Sequence, residues 1–248
     1  MTEKKVKVRF EALTKSFGNL IVLDNVDMEV RENTFLCIVG PTGCGKTTLA
    51  NLLCGIIPPT KGRVTIDGSR VNPKKHNISF VFQESACFPW RTVKDNIKLG
   101  LEIKRVPEKE VRVRIRDVIA LLGLQGFESA YPNQISGGMR QRVDIARAFC
   151  CESDLLIMDE PFCQNDEKTR FHLLSQLIEI WEKKKRTVIF VTHNLEEAVY
   201  LAERIVVFTQ KPTRIRAEID VSLPRPRDVS SPEFVAIREQ VTELVKWW

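Results

Sequence analysis

The distribution of hydrophobic residues along the first third of the chain predicts β-strands interrupted by one helix. β-branched and aromatic residues are frequent here, and Gly18 and Asn19 suit a turn. The short apolar run that ends at Val39 is typical of a strand buried on both faces of a sheet. The predicted elements are strands at 6–13, 20–30, 34–39 and 78–83, a turn at 15–19, a helix at 46–54 and a hairpin-like segment at 62–68.

The rest of the chain alternates helical and strand patterns. Between 108 and 122 the apolar residues recur at the spacing of one helix face, which indicates a helical insertion over about 84–150. Alternation of strands with helices of this length implies a mainly parallel sheet covered by helices. The later predictions are strands at 155–158, 187–192 and 204–208, a helix with an inner face of Phe171, Leu174, Leu177, Ile178 and Trp181, and a last helix capped by Ser231 with a face of Phe234, Ile237, Val241, Leu244 and Trp248.

The composition is that of a folded globular protein. Of the 248 residues, 43% are hydrophobic and 28% charged, and 38 Lys and Arg against 32 Asp and Glu give a net charge of +6. No apolar run approaches the roughly 20 residues that a membrane-spanning helix needs. The charged N-terminus predicts no signal peptide, and the odd set of 7 cysteines predicts reduced thiols. These features indicate a cytoplasmic protein.

A phosphate-binding pattern of Gly, four residues, Gly, Lys and Thr occurs at Gly40-Pro41-Thr42-Gly43-Cys44-Gly45-Lys46-Thr47. The glycines let the backbone wrap so that its N–H groups and the following helix N-terminus face phosphates. Lys46 adds a cation, and the Thr47 hydroxyl can hold Mg²⁺. Because an apolar strand precedes the pattern and a helix follows it, a nucleotide site is favoured over a chance glycine-rich turn.

An acidic pair follows the predicted strand at 155–158. Asp159 and Glu160 stand where ligands bind in parallel sheets, at the carboxyl ends of the strands. Asp159 can organise a Mg²⁺ shell, and Glu160 can act as a general base toward an attacking water. Such a pair alone is usually a solvated loop or a helix cap, but together with the phosphate loop it favours nucleotide chemistry.

A third segment places Ser136, Gly137 and Gly138 at the start of a predicted helix. The N–H groups at that helix N-terminus form a second anion site in a chain that already has a phosphate loop. The segment resembles the signature of the nucleotide-binding subunits of ATP-binding cassette (ABC) transporters. The resemblance covers nearly the whole chain in the family's order: phosphate loop, Gln83, signature, Asp159 and Glu160, then His193.

This resemblance implies the fold and activity of an ABC ATPase. The fold is α/β, with a P-loop NTPase core built on a mainly parallel sheet, an N-terminal antiparallel β subdomain and an inserted α-helical subdomain. A single ABC ATPase domain would occupy 1–248, with the core and β subdomain at 1–83 and 151–220, the helical signature subdomain at about 84–150, and a C-terminal loop and helix at 221–248. ATP is the implied substrate and Mg²⁺ the implied cofactor.

The resemblance also implies a role for each site residue. In the family two cassettes associate head to tail, so the signature of one closes on the γ-phosphate held by the other. The implied catalytic residues are Glu160, His193, Gln83 and Lys46, and the implied Mg²⁺ ligands are Thr47, Gln83 and Asp159. The implied nucleotide contacts are Phe17, which resembles the aromatic that stacks on adenine, together with Gly40, Pro41, Thr42, Gly43, Cys44, Gly45, Lys46, Thr47 and Thr48, and Ser136, Gly137 and Gly138 of the other subunit.

One segment departs from the family pattern. After Pro161 the family has a stretch of small or apolar residues that ends in Leu-Asp, whereas this chain has Cys163, Gln164 and Asn165 before Asp166. The segment crosses between subunits in the family. The coupling between two nucleotide sites that the family pattern implies is therefore not carried over to this chain.

The loop after Gln83, with its Phe88-Pro89-Trp90-Arg91 stretch, resembles importer cassettes of the nitrate, sulfonate and taurine group. The implied protein is the ATPase subunit of an importer for a small, anionic solute, peripheral on the inner face of the cell membrane. Its implied partners are a second ABC subunit in a homodimer or heterodimer, a transmembrane permease and, indirectly, a solute-binding protein; nucleic acid is not expected. The alternatives are a non-transport ABC ATPase acting on nucleic acid or the ribosome, an importer for a different solute, and a nucleotide kinase.

Overall fold

The structure, a computed structural model, describes residues 5–163 and 165–246. Gln164 of the departing segment and Trp248 of the last predicted helix face lie outside these ranges. The chain forms two compact units, one made of the residues up to Ile78 and from Lys185 onward, the other of Ser79–Lys184. The subdomain boundaries expected from the family resemblance stay a prediction.

The helices and strands follow one another in an α/β order. They are β1 (Val6–Phe17), β2 (Leu20–Arg31), β3 (Phe35–Val39), α1 (Lys46–Leu53), β4 (Lys61–Ile66), β5 (Ser69–Arg70), β6 (Ile78–Val81), α2 (Val93–Ile103), α3 (Glu108–Leu121), α4 (Gly137–Cys150), β7 (Leu155–Asp159), α5 (Glu167–Lys183), β8 (Thr187–Thr192), α6 (Leu195–Leu201), β9 (Arg204–Phe208), β10 (Ile215–Asp220) and α7 (Pro232–Val245).

The first unit contains an antiparallel sheet in the order β2-β1-β4-β5. Phe17 pairs with Leu20 across the hairpin, so β1 continues through Phe17 and the chain reverses within two residues. The predicted turn at 15–19 was therefore wrong at its first three positions. Gly18, with φ 56°, adopts the left-handed conformation that a tight hairpin turn needs and that glycine tolerates.

The other sheet of this unit runs in the order β10-β9-β3-β8. β3 is parallel to both β8 and β9, and every residue of β3 and β8 is buried, as their apolar sequences predicted. β10 and the short helix α6 were not predicted. β10 pairs antiparallel with β9 and alternates exposed residues with half-buried ones and with the buried Ile219, a pattern without the apolar run that identified the other strands.

The second unit combines the strands β6 and β7 with the helices α2 to α5. The α3 face was predicted correctly, whereas in α5 Phe171 is only half-buried and Leu173 is buried in addition to the predicted residues. The helices α2 and α4 pack together. They come so close at Gly100 that a Cβ there would lie 2.0 Å from Cys151 Sγ, which explains a glycine inside a helix.

The predictions about membrane spans, thiols and the last helix can be compared with the described residues. Over 5–163 and 165–246, no helix combines the length and apolar character of a transmembrane segment. All seven cysteines lie in these ranges and none of them forms a disulfide there; reduced thiols stay a prediction. On α7, Phe234 and Val241 are buried, while Ile237 and Leu244 are half-buried.

Candidate nucleotide-binding site

The phosphate loop connects the end of β3 to the start of α1. Gly43 and Gly45 have φ angles of 76° and 118°, in the region that favours glycine. A Cβ at Gly45 would also lie 2.6 Å from Val22 Cγ1, so β2 packs directly against the loop. Around Gly43, no heavy atom of the described chain lies within 4 Å of such a Cβ. Conformation requires glycine at 43, and both conformation and space require it at 45.

Lys46 lies under the loop that precedes it. Its side chain is buried, at 5% relative exposure, and its Nζ donates to the carbonyl oxygens of Gly40 at 2.8 Å and Pro41 at 3.1 Å. The cation is therefore held inside the loop by backbone acceptors. This arrangement fits a polyphosphate, because the ammonium and the N–H groups at the start of α1 combine positive charge with donors.

The remaining loop residues supply smaller groups. Thr47 is exposed in the first turn of α1 and Thr48 is half-buried beside it. The Thr47 hydroxyl is the kind of hard oxygen ligand that Mg²⁺ accepts together with phosphate oxygens. Cys44 is buried, which raises the pKa of its thiol and keeps it protonated at neutral pH.

His193 directly follows β8 and lies beside the phosphate loop. In the parallel pairing of β3 with β8, Val39 lies opposite Thr192, so Gly40 and His193 follow adjacent strand ends at one edge of the sheet. The imidazole is exposed, and the turn is fixed because the Thr192 hydroxyl donates to Glu197 at 2.6 Å. The first unit thus brings together the loop and the histidine that the sequence predicted.

Phe17 lies at the tip of the β1–β2 hairpin. Half of its surface is exposed (50%), and Lys15 Nζ lies 4.9 Å from the ring centroid. An exposed aromatic ring next to a cation is suited to stacking on a base. The same hairpin contacts the phosphate loop through Val22 at Gly45.

The second unit brings Gln83 and Glu160 together. Asp159 is the last residue of β7 and is buried, and Glu160 follows it with φ 45°, a strained conformation for a residue other than glycine. Gln83 Nε2 donates to Glu160 Oε2 at 3.5 Å. The predicted strand at 78–83 was too long, since β6 ends at Val81 and Gln83 lies in the loop beyond it.

The signature residues begin α4, as predicted. The Ser136 Oγ accepts the Met139 N–H at 3.3 Å and caps the helix. A Cβ on Gly138 would lie 2.7 Å from Asn165 Oδ1, so one residue of the departing segment packs directly against the signature. Asp166 caps α5, and the Thr169 N–H that it accepts lowers the pKa of its carboxyl.

Sequence reasoning missed the residues that hold the loop after Gln83. Asp144 of α4 accepts the Ser85 hydroxyl at 2.6 Å and the Ala86 N–H at 2.9 Å. Arg147, one turn further on, donates to the Ala86 carbonyl at 3.1 Å, and the Asn96 side chain of α2 accepts the Phe88 N–H at 2.8 Å. The available signal was an acidic residue between Val143 and Ile145, on the apolar face of α4.

Beside this loop the second unit has an apolar cleft of about 190 Å³. Phe82 and Ile103 line it and are both exposed, and Trp90 in the loop is 71% exposed. Phe82 and Ile103 thus form an exposed apolar patch at the cleft, and such patches are typical of interaction surfaces.

Comparisons with known proteins identify the family of the chain. Residues 23–163 match the family described as ABC transporter. The chain is 47% identical to an uncharacterized ABC transporter ATP-binding protein of Methanocaldococcus jannaschii, over 98% of this chain and 92% of that protein. It is 41% identical to the aliphatic sulfonates import ATP-binding protein SsuB of Bacillus cereus, over 94% of this chain and 92% of that protein.

Solved structures give the same result. A dimeric bacterial ABC transporter cassette matches with a TM-score of 0.79 at 29% identity, over 88% of this chain and 100% of that one. A post-hydrolysis dimer of an ATP-binding cassette, bound to ADP and Pi, matches with a TM-score of 0.78 at 30% identity, with the same coverage. The predicted α/β fold with its antiparallel N-terminal sheet is thereby confirmed, and the chain belongs to the ABC transporter family as an ATP-binding subunit that hydrolyses ATP.

Proposed function

We propose that the chain is the ATPase subunit of an importer for a small anionic solute of the sulfonate type. The observation that carries the proposal is the match to sulfonate-import ATP-binding subunits at about 40% identity over more than nine-tenths of the chain. The aromatic loop after Gln83, from which the sequence alone indicated the same importer group, supports it. The protein would lie against the inner face of the cell membrane, bound to a permease.

The proposed chemistry assigns each site residue a task. Lys46 and the N–H groups of the phosphate loop bind the β- and γ-phosphates and stabilise the charge that develops during phosphoryl transfer. Glu160 accepts a proton from water as the water oxygen bonds to the γ-phosphorus. The bond from the γ-phosphorus to the β–γ bridging oxygen breaks, its electron pair stays on that oxygen in the leaving ADP, and His193 donates a hydrogen bond to the γ-phosphate.

Mg²⁺, when bound with ATP, would neutralise charge on the phosphates. The residues that would hold it are Thr47, Gln83 and Asp159. Their hydroxyl, amide and carboxylate oxygens are the ligands that this ion prefers.

The proposed assembly is a dimer of cassettes on a permease. Ser136, Gly137 and Gly138 of one subunit would bind the γ-phosphate held by the other, so ATP favours the closed dimer by its preference for that form. A permease helix would dock on the apolar cleft that Phe82 and Ile103 line. The hydrogen bonds from α4 and α2 to the loop at 85–88 would then connect that surface to the signature helix.

Uptake by a reconstituted transporter tests this proposal. The chain is assembled in proteoliposomes with the permease encoded beside its gene, and ATP-driven uptake of radiolabelled taurine, an alkanesulfonate, nitrate and a neutral sugar is measured. We expect uptake of a sulfonate, dependent on the cognate binding protein and abolished by Lys46→Ala. Uptake of the sugar alone, or ATP hydrolysis that no sulfonate-loaded binding protein stimulates, would contradict the proposed solute class.

A further inference from the structure

Thr213 connects three parts of the first unit. It lies fully buried between β9 and β10, far along the chain from the phosphate loop. Its backbone N–H donates to the Val22 carbonyl at 2.9 Å, and its own carbonyl accepts the Asp24 N–H at 3.0 Å. Its hydroxyl donates to the carbonyl oxygen of Cys44, inside the phosphate loop.

The position of this threonine is fixed by its surroundings. Both of its backbone hydrogen bonds go to β2, where Leu23 and Thr213 form an isolated parallel bridge. The next residue, Arg214, donates to Asp24 at 2.6 Å and 3.0 Å, which ties the turn to the same strand. These contacts with β2 therefore fix the position of the Thr213 hydroxyl next to Cys44.

The hydrogen bond determines which way one peptide group of the loop faces. In a trans peptide the C=O and the following N–H point in opposite directions. A carbonyl of Cys44 directed at Thr213 therefore directs the Gly45 N–H away from Thr213. A loop that offers N–H groups to an anion must turn its carbonyls toward the protein, where each buried carbonyl needs a donor. The Thr213 hydroxyl is such a donor.

We propose that Thr213 is a positioning residue for nucleotide binding, because its hydroxyl holds the Cys44–Gly45 peptide in the orientation that offers the Gly45 N–H to phosphate. Without the hydroxyl, the buried Cys44 carbonyl loses its donor, and Gly45, as a glycine, has the freedom to let the peptide rotate. The proposal rests on the assignment of the phosphate loop as the ATP site.

Three substitutions test the proposal on the purified full-length chain. Thr213→Val keeps the shape and removes the hydroxyl, while Thr213→Ser keeps the hydroxyl. Thr187→Val is the matched control, since Thr187 is also buried and its hydroxyl oxygen accepts the Asn33 N–H at 3.1 Å. Titration with a fluorescent ATP analogue gives Kd for each variant, and thermal unfolding measures its stability.

We expect Thr213→Val to raise Kd about 10-fold, the usual effect of losing one buried hydrogen bond. Thr213→Ser should stay within about twofold of the parent, as rescue by the hydroxyl requires. Thr187→Val should lower the melting temperature without changing Kd. Equal Kd values for Thr213→Val and the parent, or equal weakening by Val and Ser at 213, would overturn the proposal.

The outcome is separate from that of the importer proposal. A parent chain that does not bind the analogue would overturn both the phosphate-loop assignment and the role of Thr213. A failure of sulfonate uptake would leave the result at Thr213 standing, because this titration needs no permease.

Discussion

Glu160 combines a left-handed backbone with a side chain that contacts Gln83. Glu160→Gln keeps the size of the side chain but removes its ability to accept a proton from water. We expect ATP hydrolysis to fall roughly 10²- to 10⁴-fold, the usual contribution of a general base, while ATP still binds. Phosphate release and a nucleotide titration measure the two quantities.

Glu167→Gln provides the control for that substitution. Glu167 is an exposed carboxylate in the first turn of α5, and its loss should leave hydrolysis near the parent rate. Undiminished hydrolysis by Glu160→Gln would show that another group activates the water.

Single residues were predictable from the sequence where their chemistry is local. Gly43, Gly45 and Lys46 stand within four positions of one another, so the pattern itself specifies a loop, a cation and a helix start. Thr213 could not be found in this way, because its hydroxyl bonds a carbonyl 169 positions away and nothing around it in the sequence indicates that contact.

Elements were predictable where burial leaves a simple pattern. β3 and β8 are buried on both faces and appear as apolar runs, and the α3 face repeats at helical spacing. α6 was missed because it has only seven residues, and β10 because it carries charged residues at alternate positions in place of an apolar run. The end of β1 was misplaced because cross-strand pairing with β2, rather than local residue preference, sets where the strand ends.

The attachment of the 85–88 loop to α4 depends on one buried carboxylate. Asp144 accepts three hydrogen bonds from the loop, the third of them from the Cys87 thiol, and lies 3.2 Å from the Arg147 guanidinium. Asp144→Ala removes these acceptors and leaves a mostly buried cation without its carboxylate, so we expect a loss of about 2–4 kcal/mol in the free energy of unfolding. Denaturant unfolding measures the loss.

Asp117→Ala on α3 is the comparison for Asp144→Ala, since Asp117 is exposed and paired with its neighbour Arg116. It should change the free energy of unfolding by less than about 0.5 kcal/mol. Hydrogen exchange should also become faster at 85–88 in Asp144→Ala alone. Equal stabilities for the two variants would show that the loop is held by other contacts.

At the scale of the whole molecule, the expected assembly is a pair of cassettes. A dimer that cannot hydrolyse ATP should remain closed. We therefore expect light scattering to give the molar mass of a dimer for Glu160→Gln with ATP, and that of a monomer for the same variant with ADP. Ser136→Arg in the Glu160→Gln background should prevent the dimer, since a bulky cation would occupy the place of the γ-phosphate. A monomer at every protein concentration would argue against a shared nucleotide site.

The whole-molecule identity was accessible from the sequence, but the solute was not. The order of motifs from the phosphate loop to His193 indicated an ABC ATPase, because the family resemblance assigns all of these motifs to one triphosphate. The transported solute would contact the permease and the binding protein rather than this chain, so the sequence of this chain does not identify it. The departure at Asn165 is visible in the sequence, whereas its packing against Gly138 depends on how the two segments fold together.

The way Lys46 is held has a consequence for anion selectivity. Its ammonium is almost covered and already bonded to two carbonyls of its own loop, so it attracts passing ions from solution only weakly. Chloride has no oxygen atoms, and a single phosphate ion has fewer than a polyphosphate. Neither ion is suited to replace both carbonyls and accept the loop N–H groups at the same time. A nucleoside triphosphate has enough oxygens for both, so we expect the site to prefer it over simple anions.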